Sequence, residues 1–536
     1  EVCADPSSGL DEEAEAYRLF GSFLARGWID WNFFVPVDPY AREALLEQIE
    51  SIGEETLRQT CLATFRELDE ARAAIAGAAG DVPALDGALA RLNESFTRLA
   101  GQAATRNEGE AYGGRTLVYE DCLRDLELEI GPEIRREMAE ALSVVLPSAR
   151  WFTHQVTASF RQVATEIYRQ MAPSEGAPVP APLFWEQLQP LFDRRDPRRI
   201  LGPVLGQLHD RWRELLGLSD GAQTNRLQLS SESLKDAARA AFEAPRAGWE
   251  AAINQSPDVM IAARSVEAIR AGDYELVLGE IHVGRNSLNS WVFVSQHPDR
   301  QQFFREIDDD LPEPRFWVTR DRNSLGVNTR TSVAWVSPQD YVIPPVDRMF
   351  VLPQSQTLPP AALVVVETEN GVMLCTRDGQ LTFDITKAGS QFISQQLMDS
   401  FGFLGAADHL PRVTIDRLTI CRESWAFDPE TLEFARQKDG AERFLAARRW
   451  AREHGLPRYI FVRVPVEAKP FYIDFDSPIY VDILAKSVRA TLASEALDKR
   501  IRITEMLPTP EQTWLPDADG QRYSSELRIV LKDRTW

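Results

Sequence analysis

The sequence predicts an α+β protein of several subdomains, and three observations carry that reading. Apolar residues recur at three- and four-residue spacing through much of the first half. From about residue 272 the period changes to the alternation of strands. Helical patterns then return between strands near 439–454 and 478–497, which calls for mixed sheets with packed helices. Four segments follow: a helical region 1–112, a mainly helical region 113–260, a β-rich region 261–400 and an α+β region 401–536.

In the first segment, Ala16–Ile29 and Leu57–Ile75 show the helical period. Leu19–Trp28 runs into Ile29-Asp-Trp-Asn-Phe-Phe-Val-Pro36, a helix feeding a strand, as in the tail of a winged-helix unit. Asn107–Gly114 is polar and Gly-rich and marks a boundary. Residues 132–252 return to helix, interrupted at Pro173–Pro182 by an exposed connection. Strands are expected at Tyr274–Val283, Trp291–Gln296, Arg315–Arg320, Ser332–Val336 and Leu363–Glu367. Gly371–Arg377 and Gln380–Ile385 flank Asp378-Gly379, the pair that a type I′ hairpin prefers. Val413–Trp425, Arg458–Pro465, Phe471–Asp476, Arg500–Leu507 and Arg522–Leu531 supply the remaining strands. Ser477-Pro478 is a helix-start signal.

Composition narrows the chemistry. At 536 residues and 44% hydrophobic, the chain is long enough for several cores. No apolar run approaches the roughly 18 residues of a membrane helix, and no secretory signal is visible, so the expectation is a cytoplasmic protein without a membrane span. Cys3, Cys61, Cys122, Cys375 and Cys421 are scattered without a C-x-x-C pair, and the histidines form no ligand-spaced motif, so neither a metal nor another bound cofactor is expected. A net charge of -22 opposes non-specific binding of polyanions, so any contact with nucleic acid must be local. The P-loop, dinucleotide and nucleophile-elbow signatures are missing.

Five clusters carry candidate chemistry. Gly113-Gly-Arg-Thr-Leu-Val-Tyr-Glu-Asp-Cys-Leu-Arg-Asp125 crowds Arg115, Tyr119, Glu120, Asp121, Arg124 and Asp125, charges able to hold an amine and a carboxylate at once or simply to bridge helical regions. Gly279-Glu-Ile-His-Val-Gly-Arg-Asn286 ends a strand with His282, Arg285 and Asn286 beside a Gly turn. Arg422, Glu423, Glu505, Glu526 and Arg528 lie on late strands, where a structural ion pair explains them as well as a site does. In the block from Gly455 to Pro478, Lys469 sits in a loop, and Asp474 and Asp476 alternate with Ile473 and Phe475. Finally, Arg436–Arg463 holds eight Lys/Arg against Asp439, Glu442 and Glu453; Arg443, Arg448, Arg449, Arg452, Arg458 and Arg463 form either a phosphate-contacting patch or a solvated face. Trp450 beside them reads as core more readily than as a base-stacking ring.

Read together, Gly114-Arg-Thr-Leu-Val-Tyr-Glu-Asp-Cys122, Ser256-Pro-Asp-Val-Met-Ile-Ala-Ala263, Leu276-Val-Leu-Gly-Glu-Ile-His282, Pro411–Trp425, Gly455–Pro478, Ile503-Thr-Glu-Met-Leu-Pro508 and Arg522-Tyr-Ser-Ser-Glu-Leu-Arg528 resemble, in order, the large amino-terminal portion of the lantibiotic dehydratase family. The resemblance implies an enzyme that takes glutamate from glutamyl-tRNA and esterifies it to Ser or Thr of a ribosomally made precursor peptide carrying a leader, a separate elimination protein finishing the dehydration. It implies aminoacyl-tRNA as co-substrate, gripped by the basic patch, with Arg115 or Arg124 on the glutamate carboxylate and Asp121, Glu120 or His282 as base. It also implies that the family's leader-recognition residues lie upstream of this chain. Two alternatives remain open. One is a peptide aminoacyl-tRNA ligase that extends a peptide's C-terminus with ATP; the other is a peptide-binding scaffold without chemistry.

Overall fold

A computed structural model describes residues 13–26, 29, 32–106, 115–124, 126–192, 200–218, 224–318, 328–343, 354–467 and 469–534. The architecture is α+β, as the change of period predicts. Helices Glu13–Ala25, Ala41–Glu50, Glu55–Gly77 and Val82–Ala100 fill the first segment. Their starts are legible in the chain: Glu54 accepts from the backbone N–H groups of Thr56 and Leu57, and Asp81 from that of Ala84. The strand expected after Trp28 does not form among the described residues: 32–36 belong to no strand, the Phe34 N–H and carbonyl both bonding the Gln48 side chain instead, and no described strand precedes Val179. The winged-helix expectation therefore has no sheet to support it among the described residues, the backbone there being satisfied in part by a side chain of the following helix. The boundary expected at Asn107–Gly114 lies outside the described residues.

The molecule is organised around a helix of 40 residues, Pro132–Met171, whose apolar face is almost wholly buried. It begins with Pro at its first position behind Gly131, where the missing N–H costs nothing. It lies across a mixed seven-stranded sheet whose order runs Glu526–Arg528, Asn254–Ala262, Glu275–Val283, Leu418–Cys421, Arg412–Ile415, Arg226–Leu229, with Leu531–Lys532 also paired to Asn254–Ala262. Val259, Ile261, Leu276, Leu278 and Leu527 face the helix and share its core. The opposite face of the same strands carries Asp258, Met260 and Val277, and part of it packs on Leu507. This sheet draws on the second, third and fourth of the segments expected from sequence, and Arg226–Leu229 is a strand that the helical reading of 132–252 does not anticipate.

A second core surrounds a five-stranded sheet in the order His409–Leu410, Ser424–Phe427, Ile501–Glu505, Tyr459–Arg463, Phe471–Asp474, covered by helices Gly440–Glu453 and Pro478–Ala493. Trp450 is buried in it against Phe427 and Phe434. A four-stranded sheet joins Val179–Pro180 to Leu363–Thr368, Gly371–Thr376 and Thr382–Asp384, so part of the Pro-rich connection is strand. The hairpin at Asp378-Gly379 forms, but only Gly379 has positive φ, at 73°, so the turn is not type I′. Instead Asp378 accepts from the Thr376 hydroxyl and the Gln380 N–H, an Asx-type solution in a longer loop.

Two expected strands are something else. Trp291–Val294 is a short helix, because a brief β-branched and aromatic run is ambiguous by period alone. Ser332–Val336 is irregular, held by Asn289, which accepts from the Trp335 N–H, and by the Trp335 indole donating to Asp308. Of the expected strand Arg315–Arg320, residues 316–318 pair in parallel with Tyr341–Ile343, and 319–320 lie outside the described residues. Among the described residues no helix is long and apolar enough to cross a membrane.

Candidate active site

The polar face of the seven-stranded sheet gathers charges that are far apart in the chain. The cause is a bulge. The ladder between Asn254–Ala262 and Glu275–Val283 pairs Pro257 with Ile281 and Val259 with Leu278, so Gly279 and Glu280 together oppose Asp258. Gly279 brings no side chain against Asp258; a Cβ there would lie 3.4 Å from the aspartate's own Cβ. On the other side of Asp258 the regular ladder places Arg528 directly opposite.

The result is a coupled cluster. Arg528 Nη1 lies 2.5 Å from Asp258 Oδ2 and 2.8 Å from His282 Nε2, and Arg528 Nη2 lies 2.9 Å from Glu526 Oε1. His282 Nε2 sits 3.0 Å from the same Asp258 oxygen, and its Nδ1 2.9 Å from Asp399 Oδ1. With both ring nitrogens protonated, His282 and Arg528 donate side by side to the one carboxylate oxygen. Burial works against the imidazolium, but the hydrogen bonds to Asp258 and Asp399 outweigh it and push the His282 pKa up to about 9. Burial also raises the Glu526 pKa; Arg528 opposes the rise, and the neighbouring Asp258 and Glu280 reinforce it. Asp258 is 3% exposed, and its other carboxylate oxygen is buried without a hydrogen-bond partner among the described residues. Glu280, His282 and Asp399 each offer one ligand atom, all within 4.8 Å of one another. A cation bound there would have to displace the His282–Asp399 hydrogen bond.

Two devices hold the cluster in place. Gly284, one residue beyond the strand, has φ of 69°, and the Trp249 ring occupies the space a Cβ would need, 2.4 Å away. The Trp249 indole donates to Ser394 Oγ, which donates in turn to the Gly284 carbonyl. Ser394 belongs to helix Ser390–Leu397, whose end delivers Asp399 to His282. At the rim, burial lowers the Arg422 pKa; its guanidinium meets the Leu507 carbonyl at 3.1 Å, and the charges of Glu526 and Glu280 act on it. Arg422-Glu423 is the crossing between strands Leu418–Cys421 and Ser424–Phe427, which belong to different sheets.

The structure divides the sequence candidates into groups. His282, Arg422, Glu526 and Arg528 share the polar face just described. Arg124 joins them from the first cluster: its Nη1 donates to Ser525 Oγ at 3.2 Å and its guanidinium stacks 5.1 Å over Tyr523. Arg115 and Glu120 are exposed, Tyr119 is half-buried, Asp121 pairs with Arg330 at 2.6 Å, and Asp125 lies outside the described residues. Arg285 contacts Met398 Sδ at 3.0 Å, and Asn286 accepts from the Leu288 N–H; both line a cavity of about 40 Å³ with Asn254 and Gln395. Glu423 and Glu505 join the two sheets instead: Glu505 accepts from Arg412 and from the Glu423 N–H, and Glu423 meets His409 at 3.0 Å. Lys469 is half-buried in its loop.

The basic helix is partly neutralised. Arg443 pairs with Asp482, Arg448 with Asp476, and Arg458 with Asp474 and Asp476. Asp474 and Asp476 thus face arginines of their own subdomain. Arg449, Arg452 and Arg463 remain exposed and have no ion pair among the described residues.

Sequence reasoning passed over Asp258 and Asp399. Asp258 had a signal, a lone acid between Pro257 and the apolar run Val259–Ala263, whereas Asp399, in a turn after a helix, had none.

Comparison with known proteins agrees with this architecture. Residues 205–484, just over half of the chain, match the family described as lantibiotic dehydratase, N terminus. The solved glutamylation domain TbtB from thiomuracin biosynthesis is similar over 96% of this chain and 66% of its own, at 18% identity and a TM-score of 0.51. The same domain bound to 5'-phosphodesmethylglutamycin aligns over 86% of this chain and 57% of its own, at 18% identity and a TM-score of 0.53. The tRNA dependent lantibiotic dehydratase MibB from Microbispora sp. 107891 aligns over 96% of this chain and 50% of its own, at 15% identity and a TM-score of 0.64. This chain thus spans half to two-thirds of the length of those structures. No curated protein matches it. The match over more than half of its length makes this chain a member of the lantibiotic dehydratase family, within the family's amino-terminal portion.

Proposed function

We propose that this chain transfers glutamate from glutamyl-tRNA to Ser or Thr hydroxyls of a ribosomally made precursor peptide, as the first half of a dehydration. The observation that carries the reading is the joining of Asp258, His282, Glu526 and Arg528 on one sheet face, with Arg124 one hydrogen bond away at Ser525. Family membership and the fold shared with a glutamylation domain support it.

The reaction is an ester exchange. The acceptor hydroxyl attacks the aminoacyl ester carbonyl, its proton passing to the Asp258–Glu526 carboxylate pair. The new ester bond forms between the acyl carbon and the Ser or Thr oxygen, the bond between the acyl carbon and the ribose oxygen breaks, and the ribose oxygen recovers a proton from the same pair. Glu526 suits the task because burial and neighbouring acids raise its proton affinity. His282, held protonated to about 9, is a poor base at neutral pH and serves as a fixed positive charge. With Arg528 and Arg422 it offsets the negative charge of the tetrahedral intermediate. Because the aminoacyl ester is already activated, positioning supplies much of the rate. Arg115 or Arg124 pairs with the glutamate carboxylate, and exposed Arg449, Arg452 and Arg463 meet tRNA phosphates.

The test is single-turnover transfer from glutamyl-tRNA to a Ser/Thr peptide. E526Q is expected to slow it by about 10²–10⁴-fold, the range for loss of a general acid–base group, with an unchanged thermal midpoint. Transfer by E526Q at the wild-type rate rejects this site.

A further inference from the structure

An apolar groove of about 750 Å³ opens beside this cluster, between the first turns of the long helix and the terminal strand segment. Ile130, Met138, Leu142 and Leu146 form one wall, and Leu527 and Ile529 the other. Glu526 and Arg528 line the groove and also belong to the charged cluster, so their strand borders both: Leu527 and Ile529 face the groove on the helix side, and the cluster lies on the other face. The strand Glu526–Arg528 is the edge of its sheet: one side pairs with Asn254–Ala262, and no described strand pairs with the other. An edge without a described strand partner, with an apolar trough on one face and reactive carboxylates on the other, fits an extended peptide: the edge offers backbone hydrogen bonds, the trough takes alternate side chains, and the side chain between them turns to the carboxylates. RNA fits it poorly, because Arg135 and Arg528 are the only cations among its described lining residues and the chain carries a net charge of -22.

We infer that this groove docks the acceptor segment of the substrate peptide, receiving the apolar side chains that flank the modified Ser or Thr while the hydroxyl projects toward Asp258 and Glu526. The inference rests on the transfer reading above and adds to it a preference for hydroxyl residues with apolar neighbours.

Ala139 and Ser143 line the groove from the exposed and half-exposed side of the helix, so A139W and S143W fill it without removing core. The probe is a fluorescein-labelled nonapeptide with a central Thr flanked by Val, Ile and Leu, and a control with Asp at the flanking positions. Binding is read by anisotropy without tRNA, and transfer is read separately with glutamyl-tRNA. Both variants are expected to weaken probe binding at least tenfold and to raise the peptide KM equally, the KM for glutamyl-tRNA staying unchanged; the Asp control is expected to bind wild type as weakly as the probe binds S143W. Unchanged probe binding and peptide KM in both variants, or a rise confined to the glutamyl-tRNA KM, overturns the groove assignment and leaves the transfer reading standing. Probe binding that A139W and S143W abolish, in a protein that transfers no glutamate, upholds the groove and rejects the transfer reading.

Discussion

At the scale of single residues, the cluster depends on contacts between groups hundreds of positions apart, which is why only half of it is legible in the chain. His282 and Arg528 stand out as polar residues at strand ends, but nothing in their spacing says that they meet at 2.8 Å. Asp258 joins them only because the bulge at Gly279-Glu280 shifts the register, and a shift of that kind leaves no period to read. His282 also makes a prediction about pH. Its pKa is raised in the folded state above the unfolded value near 6.5, so its stabilising contribution is complete below that pH and is lost as pH rises through about 9. D399N removes one of the hydrogen bonds that raise it. Wild-type thermal midpoints are expected to fall between about pH 6.5 and 9, with the fall in D399N smaller and complete at lower pH; identical profiles would disprove the coupling.

Individual elements are easier to read where period and capping agree, as in Gly440–Glu453 and Pro478–Ala493, and harder where a short apolar run has no length to arbitrate, as in Trp291–Val294. The strand carrying His282 owes its end to Gly284. G284A is expected to cost roughly 2–4 kcal/mol, because the positive φ and the Trp249 ring both exclude a Cβ, and to uncouple His282 from Asp399. A thermal melt within the error of wild type would reject that lock. In the basic patch, the local excess of Lys and Arg in the sequence marks the arginines but not which of them acids already hold. Replacing Arg449, Arg452 and Arg463 by Gln is expected to raise the KM for glutamyl-tRNA. It should also flatten its dependence on log salt by about 0.7–0.9 for each phosphate that is no longer neutralised. Replacing Arg443 and Arg448, paired with Asp482 and Asp476, is expected to change salt dependence less. Equal effects from the two sets would contradict the assignment.

For the whole molecule, the seven-stranded sheet binds distant parts of the chain into one unit. Its strands come from 226–229, 254–283, 412–421 and 526–532, and the Arg124 side chain bonds Ser525, just before its edge strand. The α+β class is readable because the change of period near residue 272 is a physical signature of sheet. The mixing of segments is not, since long-range pairing is chosen by packing that no local pattern records. The central claim is that this unit moves glutamate from RNA to a peptide hydroxyl. Its most direct measurement is mass spectrometry of a Ser/Thr-containing peptide incubated with the protein and glutamyl-tRNA, with and without ribonuclease. The account predicts a glutamyl adduct that mild base removes and that ribonuclease prevents from forming; no adduct, a base-stable residue added to the peptide's C-terminus, or indifference to ribonuclease would contradict it.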